Sequence, residues 1–193
     1  MLLNKELFLA SASIRRVDLL EKAQIPFTKI PNLLTDETVE DQNLRQAVKK
    51  LAFKKVITSK NGYQGLILGV DTIVVIDGFV LGKPENINEA KSFLKLLSGK
   101  THFVFSGLCL YDTMLEKCFL RSCRTKVKFI SLTDEAINYY CANYQVLDKA
   151  GAYAIQEYAD KFVEKIEGPV DNVIGLPMKI LLKLLRNYVI VAN

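Results

Sequence analysis

The chain of 193 residues is half hydrophobic and about a quarter charged, with a formal net charge of +5, the balance of a globular protein with a substantial interior. It holds no long Lys/Arg block, so the charge favours small anionic ligands and gives no indication of a nucleic acid polymer as partner. Apolar runs such as Leu66 to Ile76, broken by Gly69 and Asp71, fall far short of the ~20 residues of a membrane span.

Leu7 to Ala10 reads as a short apolar strand, followed by Ser11-Ala12-Ser13 and an amphipathic helix from Ile14 to Ala23 with Ser13 as its N-cap. The loop and first helical turn set free backbone N–H groups beside Ser11, Ser13, Arg15 and Arg16. That combination suits a phosphate group, because the helix dipole and the guanidinium forks act on the same charge; the plainer reading is a capped helix with two surface arginines. Phe27 to Ile30 is a second strand bounded by Pro26 and Pro31. The polar run Asn32 to Asp41, with Asp36, Glu37, Glu40 and Asp41, is a solvated loop or a source of a metal-binding carboxylate. From Asn43 to Thr58 a helix carries Leu44, Ala47, Val48, Leu51, Ala52 and Val56 on one stripe. Lys55 lies on the same stripe, where a lysine either snorkels or faces an anion.

Gly69 to Pro84 is the stretch around which the chain is organised. β-Branched residues run from Thr72 to Ile76, Asp77-Gly78 signals a hairpin, and Lys83 follows the partner strand. Asp71 falls within a buried strand. A carboxylate there needs a metal, a chemical task, or satisfaction by backbone amides or Lys83. Asn86 to Leu97 is a helix closed by Gly99 in the left-handed region. Thr101 to Asp112 and Leu115 to Ile130 read as long antiparallel strands, the second bearing the basic residues Arg121, Arg124, Lys126 and Lys128 on a solvent face. Thr133 caps a further helix. Asp148 to Gln156 has no clean periodicity and places Asp148, Lys149 and Gln156 among small residues that allow close backbone approach. Glu167 to Pro177 reads as loop, and Met178 to about Tyr188 as the last helix. The alternation implies an α/β fold with a mixed sheet, residues 1–193 forming one domain.

Cys109, Cys118, Cys123 and Cys141 form no CxxC pair, which argues against zinc. His102, the only histidine, is the one residue on which any Ser-His-Asp or Cys-His set would depend. Met1 to Ala10 lacks the features of a secretory signal, and the cytoplasm is the expected setting. What remains is a set of anion-binding candidates, Ser11, Ser13, Arg15, Arg16, Lys55 and Lys83, with Glu37 and Asp71 as hard oxygen ligands for Mg2+ or Mn2+. This inventory fits hydrolysis of a phosphate ester or anhydride. No GxxxxGK[ST] loop or GxGxxG turn points to a P-loop ATPase or a dinucleotide enzyme.

Leu9 to Arg16, Asp36-Glu37, Leu51 to Lys55, Gly69 to Thr72 with Leu81 to Pro84, Leu97 to His102, Asp148 to Gln156, and Asn172 to Pro177 follow one another in register over nearly the whole chain. Together they resemble the Maf family of nucleoside triphosphate pyrophosphatases, the septum formation inhibitor Maf-like proteins. The resemblance implies a two-lobed mixed sheet with flanking helices and a deep central cleft, related to the inosine triphosphate pyrophosphatase architecture. It implies hydrolysis of a nucleoside triphosphate to the monophosphate and pyrophosphate with a divalent metal, in the cytoplasm and often in a homodimer. By the same resemblance Ser11, Arg15 and Arg16 grip the triphosphate, Lys55 and Lys83 neutralise phosphate charge, Asp71 activates water or binds the metal, Glu37 assists the metal, and Gln156 lines the site near the nucleotide. The stretch ending at Gln156 looks like the branch that prefers dTTP and UTP. Its substrates are then dTTP, UTP or modified pyrimidine nucleotides, and the alternatives are a pyrophosphatase for 7-methyl-GTP or other noncanonical nucleotides and a non-catalytic nucleotide-binding regulator of septum formation. Ile14, Asn143 to Val146, Glu157, and Gly168 to Val170 depart from the family pattern, most of them around the expected base pocket.

Overall fold

The computed structural model describes residues 2–35, 38–39 and 41–190. Its elements run β1 (Leu7–Ala10), α1 (Ile14–Lys22), β2 (Thr28–Ile30), α2 (Leu44–Ser59), β3 (Leu66–Ile76), β4 (Phe79–Leu81), α3 (Ile87–Leu97), β5 (Thr101–Asp112), β6 (Lys117–Phe129), α4 (Asp134–Asn143), β7 (Val163–Glu167), α5 (Val170–Ile174) and α6 (Met178–Leu185). No helix among the described residues is long and apolar enough to cross a membrane.

The strands form one mixed, seven-stranded sheet in the order β2-β1-β3-β5-β6-β7, with β4 paired to β3 off that path. β1 is parallel to both β2 and β3. All four of its residues are buried, as a strand with parallel neighbours on both sides and covered faces requires. β3 and β4 form the expected hairpin, with Asp77 and Gly78 at φ 50° and 84°, the left-handed pair that a two-residue type I′ turn needs.

Helix starts follow local chemistry. The Asn43 side chain accepts from the N–H groups of Arg45 and Gln46, Asn86 from Glu89 and Thr133 from Ala136, each satisfying donors that the first helical turn leaves open. Ser13 occupies the N-cap position of α1 but makes no side-chain cap bond, a correction to the expectation that its hydroxyl would close the turn. The neighbouring Ser11 hydroxyl takes the Ser13 N–H instead, at 3.2 Å.

A second correction concerns the stretch around Glu167 to Pro177, which holds the end of β7 and all of α5. Val-Glu-Lys-Ile-Glu has too few apolar residues to betray a strand, and a five-residue helix is too short to show periodicity. β7 is an edge strand. It pairs antiparallel with β6, and Lys126 and Lys128 reach Glu167 and Glu164 across the pair. Part of the expected solvent-facing basic row is therefore neutralised by an acidic neighbour.

The chain divides into two compact units. The first comprises Met1–Asp71, Ser106–Cys123 and Gly175–Asn193, and the second Thr72–Phe105 and Arg124–Ile174. In the first, Leu7, Leu9, Leu20, Leu66, Leu68, Leu108, Leu110, Leu181 and Leu185 form one apolar cluster. Phe8, Ala10, Ile30, Ala52, Val56, Ile67, Cys109 and Tyr111 form another, as alternation along β1 and β3 demands. The second unit has its own core, in which Leu94, Leu97, Phe129, Tyr140, Tyr153 and Phe162 are buried together.

Candidate functional site

The site in the first unit starts from two glycines. A Cβ on Gly69 would lie 2.3 Å from the Ala52 carbonyl oxygen, and one on Gly107 would lie 2.0 Å from that of Val48. Only hydrogen at those positions lets α2 settle backbone to backbone against β3 and β5. Two periodicities then fix the chemistry. Asp71 is two residues beyond Gly69 and so on the same face of β3, while Lys55 is three beyond Ala52 and so on the same face of α2. The docking of Ala52 on Gly69 thus sets Lys55 over Asp71. Lys55 Nζ donates to Asp71 Oδ1 at 2.6 Å, with both residues buried.

Each of these charges costs several kcal/mol to remove from water, and a short charge-assisted bond between them offsets that only when both partners are held in place. The Lys55 partner answers the question left by the sequence: the carboxylate in the strand is met by the lysine of the α2 stripe. Lys83 lies exposed two residues past β4.

The second feature is the loop after β1. Ser11 is buried, and its hydroxyl oxygen accepts from Arg16 Nη1 at 2.9 Å as well as from the Ser13 N–H. Arg16 Nε donates to the Gly175 carbonyl at 3.0 Å, so the guanidinium is anchored on two sides. With its oxygen serving as acceptor twice, the Ser11 hydroxyl keeps its proton to donate. Arg15, Arg16 and Ser13 are half-buried.

Strand register brings the two features together. β1 pairs with β3 as Leu7 with Leu66 and Leu9 with Leu68. Carrying that offset past the end of β1 sets Ser11 level with Val70 and Ala12 level with Asp71. β1 connects through α1 to β2 on one side, while β3 lies on its other side. The carboxyl end of β1 therefore lies level with the middle of the longer β3, beside the point where the strand order reverses, the place where open α/β sheets bind ligands. The Ser11 loop, Arg16, Lys55 and Asp71 gather there within one unit.

In the second unit the Asp148 to Gln156 stretch is drawn to the loop that carries Lys83, because the Gly151 N–H donates to the Gly82 carbonyl at 3.0 Å. Gly151 sits at φ 67°, packed against Val74. Lys149 turns inward: its ammonium is buried and bonded to the Gln145 carbonyl, to Asp148 at 2.8 Å and to Glu157 at 3.2 Å. Gln156 is exposed on the turn that follows. Tyr153 is pinned from within, its hydroxyl 2.8 Å from His102 Nε2 and its ring edge-on to Phe129. Burial pushes the His102 imidazole down to about 4 and raises the Tyr153 phenol. His102 is therefore a neutral core residue, and the His-based triad that the sequence left open has no exposed imidazole to use.

Glu37, the expected second metal ligand, lies outside the described residues. Among the described residues no group of three or more His, Cys, Asp or Glu side chains is arranged to hold a metal ion. Two surface depressions of the first unit, about 330 and 440 Å3, are lined by Leu3 to Leu7 with Pro26 to Thr28, and by Thr38, Asp41 and Gln42 with Ala47, Lys50, Leu51 and Lys54 of α2. Neither contains Ser11, Lys55 or Asp71.

Comparison with known proteins matches residues 6–188 to a family described as Maf-like protein. A relative from Dictyoglomus thermophilum named dTTP/UTP pyrophosphatase is 41% identical over 178 residues, covering 91% of this chain and 92% of that protein. Relatives of the same name from Thermotoga maritima and Bacillus cereus are 41% identical over 175 residues and 39% identical over 185 residues. They cover 89% and 95% of this chain and 84% and 96% of their own lengths.

Proposed function

The chain belongs to the Maf-like protein family, and from that membership and the buried Lys55–Asp71 pair we propose that it is a nucleoside triphosphate pyrophosphatase acting on dTTP and UTP. The reaction is attack of water that splits the bond between the first and second phosphorus atoms, giving the monophosphate and pyrophosphate. In this reading Lys55 holds and orients Asp71 through Oδ1, leaving Oδ2 to take the proton of the attacking water or to bind a cation. The Ser11 hydroxyl, the Arg15 and Arg16 guanidiniums and the first N–H groups of α1, beside Ser13, receive phosphate oxygens. Ser11 and Arg16 are already held by their mutual bond and by the Gly175 carbonyl, which spares their reorganisation in the transition state.

A divalent metal belongs to the proposal. Mg2+ retains much of its water and binds through one or two carboxylates together with substrate phosphates, so Asp71 with Glu37 is a sufficient protein donor set. The ion would neutralise charge on the phosphates and leaving group. Lys83 as a further neutralising cation, Gln156 as a nucleotide contact, cytoplasmic placement and assembly as a homodimer complete the reading.

The observation that carries it is a carboxylate buried in β3, held by a lysine, at the switch point that also presents the Ser11 and Arg16 loop. The test is pyrophosphate release from dTTP, UTP, dGTP and 7-methyl-GTP with Mg2+, for the natural protein and for Asp71→Asn. We expect release from dTTP and UTP to dominate and to fall about 10²–10⁴-fold in the variant, the usual worth of a positioned base, with an unchanged circular dichroism spectrum. Near-natural turnover in Asp71→Asn would remove the assigned base, faster release from 7-methyl-GTP would overturn the pyrimidine assignment, and tight dTTP binding without any release would indicate a regulator.

A further inference from the structure

Two of the four cysteines lie together on neighbouring strands. Cys109 is on β5 and buried among Phe8, Ala52, Ile67 and Tyr111, whereas Cys118 is on the neighbouring strand β6 and exposed. Their sulfur atoms are 3.2 Å apart, and both are free thiols. The strands are joined by the short turn after Asp112. That turn is tied down by the Asp112 carboxylate, which accepts from the N–H groups of Met114 and Leu115 and from Lys5 Nζ at 2.6 Å. A clamped turn limits how far the two strands can separate. The sulfurs therefore face one another at short range across neighbouring strands.

We propose that Cys109 and Cys118 are a site of reversible oxidative modification, forming an intrachain disulfide when the protein meets a hydroperoxide. Exposure assigns the first step to Cys118, since a peroxide from solvent reaches that sulfur. Burial and the neighbouring sulfur raise the Cys109 thiol, so Cys109 does not react with peroxide first, and its place 3.2 Å from Cys118 makes it the resolving partner. In the first step the Cys118 thiolate attacks one oxygen of the peroxide. The S–O bond forms, the O–O bond breaks, hydroxide leaves, and the sulfur is oxidised by two electrons to the sulfenic acid. In the second step the hydroxide released in the first takes the Cys109 proton as water, and the Cys109 thiolate attacks the oxidised sulfur. The S–S bond forms, the S–O bond breaks, and the departing hydroxide leaves as water with the proton that Cys118 gave up at the start. Two thiols and one peroxide give one disulfide and two waters, and a dithiol reverses the reaction by exchange.

A buried neighbour within reach also protects the exposed thiol. The sulfenic acid is consumed before a second peroxide drives it to the irreversible acids. The chemistry does not depend on the nucleotide reaction and holds whichever substrate the protein takes.

The experiment is intact-mass and non-reducing peptide analysis of the natural protein, Cys118→Ser and Cys109→Ser after brief treatment with stoichiometric hydrogen peroxide. The natural protein should lose two hydrogens, yield a peptide linked between residues 109 and 118, stop reacting with maleimide at Cys118, and recover fully with dithiothreitol. Cys118→Ser, altered only at an exposed atom, should show no mass change, and Cys109→Ser should add oxygens at Cys118. If the natural protein instead adds two or three oxygens at Cys118, forms a disulfide between chains, or remains unoxidised under these conditions, the proposal fails.

Discussion

Replacing Lys55 with methionine tests the physical core of the site. The substitution keeps the length of the side chain and removes its ammonium. It leaves the Asp71 carboxylate buried, without the donor now 2.6 Å away. Breaking a buried pair from one side costs about 3–5 kcal/mol, because the surviving charge has lost both water and partner. An exposed pair costs less than about 1 kcal/mol. The exposed Lys100–Asp77 pair, 3.1 Å apart with side chains 49% and 59% accessible, provides the internal comparison. With a urea dependence of about 2 kcal/mol per molar, Lys55→Met should lower the unfolding midpoint by roughly 2 M and Lys100→Met by less than about 0.5 M. The double variant Lys55→Met, Asp71→Leu should regain much of the loss, since an apolar pair has no stranded charge. Midpoints are read by circular dichroism at pH 7.5. A loss below about 1 kcal/mol in Lys55→Met would refute the reasoning, because the ammonium and carboxylate would then have to be solvated in the folded protein.

His102 sets a pH window. Unfolded, an imidazole takes its proton near 6.5, while in the folded chain burial holds it down to about 4. Between those values the unfolded state binds more protons, so stability is fully present above about pH 6.5 and is lost as pH falls toward 4, by on the order of 3 kcal/mol. Urea midpoints from pH 7.5 to 4.5 should show this slope in the natural protein and lose it in His102→Gln; an equal slope in both would place the titration elsewhere. Gly107→Ala puts a methyl group 2.0 Å from the Val48 carbonyl and forces α2 off the sheet. It should cost more than about 4 kcal/mol or prevent folding, whereas Gly82→Ala, with nothing within 4 Å, should leave the unfolding midpoint unchanged; similar midpoints for both variants would contradict the backbone contact.

Much of this protein is legible along the chain. The apolar run of β1, the Asp77-Gly78 turn, the Thr133 cap and the long alternation of β5 and β6 are local signals, because hydrogen-bond caps, turn dihedrals and side-chain periodicity act over a few residues. Motif order was equally available, and family membership follows from it. β7 and α5 were hidden because an acidic edge strand and a single helical turn gain their order from neighbours distant in sequence. Residue type alone makes Ser13 a cap, yet its hydroxyl makes no cap bond, and its N–H donates to the Ser11 hydroxyl.

The pairing inside the site is the tertiary part. Sequence places Asp71 in a buried strand and Lys55 on an apolar stripe, each at odds with its setting. Nothing within either segment states that they satisfy one another. Helix α2 decides it by lying against Gly69 and Gly107, where the absence of side chains admits its backbone, and the parallel register of β1 with β3 decides which loop shares their end of the sheet. Local propensity depends on the atoms of one stretch, whereas a buried charge is stable only through the specific partner that the packed fold brings to it.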